Sequence, residues 1–94
     1  MAIPFKTLRD RWMKDPEFRK AYDRVSAEME IAFAIAEARH RARLSQAELA
    51  EKIESSQSAV ARWESGAALP TTKTLKRIAE ATRSRLHVEL VPAG

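Results

Sequence analysis

Apolar side chains recur every three or four residues through most of the chain and every second residue only near its end. From Ser26, which can cap a new helix, Ile31, Ile35, Ala38 and Ala42 share one face, and that helix ends near Arg43. A single bent helix over residues 16–42 satisfies the same spacing. Ser45 followed by Glu48 forms a capping box, after which Leu49, Ala50 and Ile53 turn inward and Glu48, Glu51 and Lys52 outward. A third helix starts at Ser56 and runs to about Ser65, where Gly66 can adopt the left-handed conformation that stops it. Leu69-Pro70 closes a turn and Thr71 or Thr72 opens a fourth helix, with Leu75, Ile78, Ala79 and Thr82 inside and Lys73, Lys76 and Arg77 outside. Upstream, Phe5, Leu8 and Trp12 align at helical spacing. Asp15-Pro16-Glu17 then starts a helix that gathers Phe18, Tyr22 and Val25.

After Arg83 the period changes. Leu86, Val88 and Leu90 alternate with His87, Glu89 and Val91, the pattern of a strand. A lone strand would leave its backbone groups unpaired, so its natural partner is the same strand of a second copy, giving a two-fold dimer through Leu86, Val88 and Leu90. The expected architecture is therefore all-α. It is a compact helical bundle over residues 26–83, with an N-terminal helical extension (1–25) and one short C-terminal β-strand (84–94) paired across a homodimer.

The third helix carries the chemistry. Ala59, Val60 and Trp63 fall on one side of it, and Gln57, Ser58, Ala61 and Arg62 on the other. A plain helical bundle needs no such polar face, whereas the major groove does. Glutamine can bond adenine through two hydrogen bonds, arginine can do the same to guanine, serine serves either, and an alanine methyl can touch that of thymine. A helix-turn-helix sets the first residues of its second helix against base edges. The expected contact set is Ser56, Gln57, Ser58, Ala61 and Arg62, with Gln46 bonding a phosphate beside the N–H groups of its own helix. The expected ligand is double-stranded operator DNA, a palindrome with half-sites about 34 Å apart.

Ninety-four residues allow one small domain and an appendage. The net charge of +4 and pI near 9.9 suit an anionic partner without proving one. The absence of cysteine excludes disulfides and thiolate chemistry, and no apolar run nears the roughly 20 residues of a membrane span. With no apolar leader stretch at Met1, the expectation is a cytoplasmic protein without membrane attachment. His40 and His87 sit on different elements without ligand spacing, and no nucleophile–base pair or glycine-rich phosphate loop occurs. No enzyme activity, cofactor or metal is expected. Trp12, Phe18 and Tyr22 fit core packing and a partner interface about equally. Such an aromatic cluster, in a segment otherwise heavily charged, is nevertheless unlike an inert tail.

SQAELA, SSQSAVARWESG, the Leu69-Pro70 turn and TTKTLKRIAEAT together resemble the helix-turn-helix of the Xre/Cro/phage-repressor family over residues 31–83. That resemblance implies a lambda-repressor-like bundle. It also implies a structural ion pair between Arg39 and Glu64, since phage-type repressors join an arginine of the first helix to the acid at this place. WMKDPEFRKAYD and LHVELVP extend the likeness to HigA-type antitoxins, from about Leu8 to Pro92. Members of that group repress their own operon and neutralise a RelE-like ribonuclease toxin, which implies toxin contacts at Phe5, Leu8, Trp12, Phe18 and Tyr22. The DNA-binding motif serves a free-standing Xre-type repressor equally well. The chain departs from the family where helices usually end in Gly or Asn: Arg43, Glu54 and Arg83 stand there instead. Each must take a positive φ, at about 1 kcal/mol, or end its helix differently.

Overall fold

A computed structural model describes residues 26–92 and, apart from these, Pro16. The expectations for Phe5, Leu8, Trp12, Phe18 and Tyr22 lie outside the described residues. Four helices follow one another: α1 (Ala27–Arg41), α2 (Gln46–Lys52), α3 (Gln57–Glu64) and α4 (Thr72–Ala81). Helices of 7 to 15 residues are marginal alone, so their ends and their packing must hold them.

Each helix opens in the same way. The hydroxyls of Ser26, Ser45, Ser56 and Thr71 accept the backbone N–H three residues on, at 3.2, 3.0, 3.1 and 3.1 Å. Thr71, not Thr72, is thus the cap of α4. At Ser45 the box is complete, because its own N–H donates to Glu48 Oε1 at 2.9 Å. That N–H, with the Ser45 hydroxyl, holds the Glu48 carboxyl below the usual glutamate range.

The helices also close alike. Arg43, Glu54 and Arg83 adopt φ of 59°, 57° and 54°, and Gly66 takes 80°. In all four cases the next residue's N–H reaches back five positions. Leu44 donates to the Arg39 carbonyl at 3.1 Å, Ser55 to Ala50 at 2.8 Å, Ala67 to Arg62 at 3.0 Å and Ser84 to Ala79 at 2.7 Å. These are Schellman closures, and the two backbone bonds they supply keep three bulky residues in a conformation that glycine would enter freely. Gly66 has a further constraint, since a Cβ there would overlap Met29 Sδ.

The core is Ala32, Ile35, Leu49, Ala50, Ile53, Val60 and Ile78, with Ile31, Leu44, Trp63, Leu75 and Ala81 packed around it. α3 lies against both α1 and α2, and α2 also touches α4. Thr82 is buried but satisfied, its hydroxyl donating to the Ile78 carbonyl at 2.7 Å.

The expected C-terminal strand is absent: residues 84–92 form no regular element. The reason is the one that made a lone strand costly, because a ladder needs a neighbouring strand and a single chain offers none among the described residues. Of the three residues expected at a dimer contact, Val88 and Leu90 are exposed and Leu86 is half-buried on the helices.

The left-handed closures predict opposite effects of glycine. Arg43→Gly and Glu54→Gly should each gain roughly 0.5 kcal/mol, the relief of the left-handed strain less the added freedom of the unfolded chain. Thermal melts should show midpoints a few degrees higher. Gly66→Ala should lose more than about 1 kcal/mol, from the same strain plus the Met29 collision. Glycine variants melting below the parent would refute the strain argument.

The Glu48 cap adds a pH dependence. A carboxyl whose pKa is depressed by folding stabilises the fold fully above its unfolded value and loses that contribution as pH falls through the folded one. Glu48→Gln can still accept from Ser45 but does not titrate. Its stability relative to the parent should therefore improve on acidification, as melts between neutral and acid pH would measure.

Candidate nucleic-acid interface

Ser56 fixes where α3 begins and hence which way its side chains point. Val60 goes fully into the core, Ala59 and Trp63 are half-buried, and Gln57, Ser58 and Arg62 are exposed with Ala61 half-buried between them. Gln57 and Arg62 direct no side-chain hydrogen bond to another described residue, so their donors are available to a ligand. Ser58 is less free, its Oγ lying 3.3 Å from that of Ser56, whose lone pair already takes the Ala59 N–H. Ser56 is therefore mainly a cap, and the exposed polar side chains of α3 beyond it are Gln57, Ser58 and Arg62.

Behind this face lies a fork-to-fork ion pair. Arg39 Nε donates to Glu64 Oε2 at 2.7 Å and Arg39 Nη2 to Glu64 Oε1 at 2.9 Å, with the side chains only 11% and 8% exposed. Arg39 Nη1 also donates to the Leu44 carbonyl at 2.9 Å. Bonding to Glu64 raises the Arg39 pKa although burial acts against it. One guanidinium thereby ties the end of α1, the α1–α2 turn and the last turn of α3. With these donors engaged inside the protein, Arg39 is not placed to hold DNA.

Gln46, expected at a phosphate, joins the same group. Its amide Nε2 donates to Glu64 Oε1 at 3.3 Å, and it is half-buried. The second amide N–H stays available for an anion in front of α2. The Arg39 bond to the Leu44 carbonyl and the Gln46 bond to Glu64 had no signal of their own in the sequence, since both depend on how the α1–α2 turn folds.

Among the described residues no group of three His, Cys, Asp or Glu could hold a metal, and no helix is long and apolar enough to cross a membrane. Residues 35–87 match the helix-turn-helix family, from the middle of α1 to just past α4. The chain belongs to that family. The chain is also 39% identical over 64 residues to the plasmid copy control protein CopR of Streptococcus agalactiae, across 68% of this chain and 70% of that protein. No solved structure matches. In this helix-turn-helix chain α2 and α3 are the two helices of the motif, and the turn between them is the left-handed closure at Glu54.

The pair makes an asymmetric prediction. Arg39→Ala strands a buried carboxylate with a single long bond from Gln46, and should cost about 3 kcal/mol. Glu64→Ala leaves Arg39 its bond to Leu44 and should cost less. Unchanged melting midpoints for both variants would reduce the pair to independent surface charges.

Proposed function

We propose that this chain is a sequence-specific DNA-binding transcriptional repressor that lays α3 in the major groove of an operator. The observation that carries this reading is the exposed row Gln57, Ser58 and Arg62 on a helix clamped from behind by Arg39 and Glu64. Hydrogen bonds from that row to base edges supply sequence preference. The remaining Gln46 N–H and the N-terminal N–H groups of α2 supply a phosphate contact that sets register. Two copies, joined through Leu86, Val88 and Leu90, present two such helices to a palindromic site, and the bound dimer excludes the transcription machinery from that DNA. The relative in Streptococcus agalactiae is named for plasmid copy control, a regulatory role with which this reading agrees. The protein acts in the cytoplasm, without catalysis or a cofactor.

A second reading adds an activity to the same motif. Phe5, Leu8, Trp12, Phe18 and Tyr22 crowd into a charged segment that a four-helix DNA-binding unit does not need. Aromatic anchors of this sort supply much of the energy of protein interfaces. In this reading the chain is the antitoxin of a type II system, and residues 1–25 pack on a RelE-like ribonuclease toxin while α3 remains free.

Arg62→Ala should weaken operator binding by roughly 1–3 kcal/mol and relax base preference at one position, measured by titration against operator variants at fixed salt. Unchanged affinity would mean that the Gln57, Ser58 and Arg62 face is not the reading face. A chain starting at Ser26 should bind the operator as the full chain does and fail to protect cells from the toxin. Equal protection by the truncated chain would place the toxin contact on the helices. A gene neighbourhood without a toxin would leave the plain repressor.

A further inference from the structure

Residues 84–92 carry apolar side chains with nothing over them: Val88 is 74% and Leu90 95% exposed. Leu86 differs, leaning on the helices beside an open groove of about 240 Å³ between α1 and α4, which Ala34, Ala38, Leu75 and Ala79 help to line. His87 Nε2 stands 4.0 Å from Glu89 Oε2, so these two polar side chains share one side, as residues two apart in an extended segment do. From Leu86 to Leu90 the segment thus carries apolar residues on one side and His87 and Glu89 on the other.

We infer that this segment pairs antiparallel with its copy in a second chain in one register, with the two-fold axis at Val88. The inference rests on the proposed dimer and goes beyond it by fixing which residues meet. When a strand pairs with itself about a two-fold axis, the residue before the axis faces the residue after it on the other copy. An axis at Val88 sets His87 against the partner's Glu89 and Glu89 against the partner's His87, two pairs on one side in which an imidazole N–H can donate to a carboxylate. On the other side Leu86 meets the partner's Leu90, and Val88 meets its own copy. The partner's Leu90 lands next to Leu86, at the rim of the groove between α1 and α4. It thereby covers apolar surface that the single chain leaves open. Pro92, which has no N–H, falls opposite Ser84 at the end of the ladder, where a missing donor costs least.

Neighbouring registers are worse on the same grounds. An axis at Glu89 sets that carboxylate against its own copy. An axis at His87 pairs Arg85 with the partner's Glu89 but leaves Leu90 opposite Ser84, outside the apolar cluster. An axis between two residues opposes Val88 to Glu89 and mixes the two sides. Only the Val88 axis sets Leu86, Val88 and Leu90 all opposite one another, with Arg85 and Val91 facing each other at the ends of the ladder.

Because the chain has no cysteine, single-cysteine variants of the full-length protein report the register directly. Val88→Cys should be trapped by mild oxidation as a covalent dimer, since residues facing each other across the axis lie about 5 Å apart, within disulfide reach. Leu90→Cys alone should stay uncrosslinked, its copies lying about 14 Å apart. Mixed with Leu86→Cys, it should give a heterodimer. Charge pairing supplies an independent readout: His87→Glu and Glu89→Lys chains should each self-associate less than the parent and associate with each other when mixed. Crosslinking of Leu90→Cys alone, or a parent dimer by light scattering in which Val88→Cys does not crosslink, overturns the register and leaves the dimer. A parent that is monomeric by light scattering removes the dimer itself.

Discussion

The Arg39–Glu64 pair is the constraint on which the presentation of α3 depends. Hydrophobic packing of Val60 and Trp63 holds α3 down but is nearly indifferent to small rotations about the helix axis. A two-point hydrogen-bonded fork is not indifferent, because it fixes direction as well as distance. By also binding the Leu44 carbonyl, the same guanidinium fixes the α1–α2 turn and hence the start of α2. The exposed face of α3 is therefore set from inside the protein, by a residue whose side chain is directed to Glu64 and the Leu44 carbonyl.

The remaining rigidity comes from the ends of the helices. Between α1 and α4 the connections are short, and almost every residue in them either caps the helix that follows or closes the one before. Hydroxyl caps and Schellman closures satisfy the terminal backbone groups without help from the core. This matters where only seven of the described residues are buried and apolar. Ala32 and Ala50 belong to that small core because helices can approach closely where a side chain is a single methyl.

Local signals in the sequence were legible and long-range ones were not. Ser26, Ser45 and Ser56 announce their helices because a cap is a contact over three residues, and the inward stripe through Leu49, Ala50 and Ile53 follows from period alone. Ala32 was missed because an alanine beside Ile31 carries no hydrophobic signal of its own. Thr71 and Thr72 looked alike since both can cap, and only the fold selects between them. The strand expected over Leu86, Val88 and Leu90 is a different case. Its alternation is real, but a strand exists only beside another, so one chain cannot display it. The polar face of α3 was readable from spacing, whereas the Gln46–Glu64 contact needed the turn in between.

At Gly66 the chain has exchanged one residue's side chain for another's. Met29, two residues into α1, places its sulfur where a Cβ of residue 66 would stand, and so fills the space under the end of α3 from a distant part of the sequence. The two positions share one volume. Sequence drift at either is therefore not independent. A larger residue at position 66, already restricted to those that tolerate positive φ, becomes acceptable only together with a shorter one at position 29. Among relatives of this chain the two sites should vary as a couple, although 37 residues separate them along the backbone.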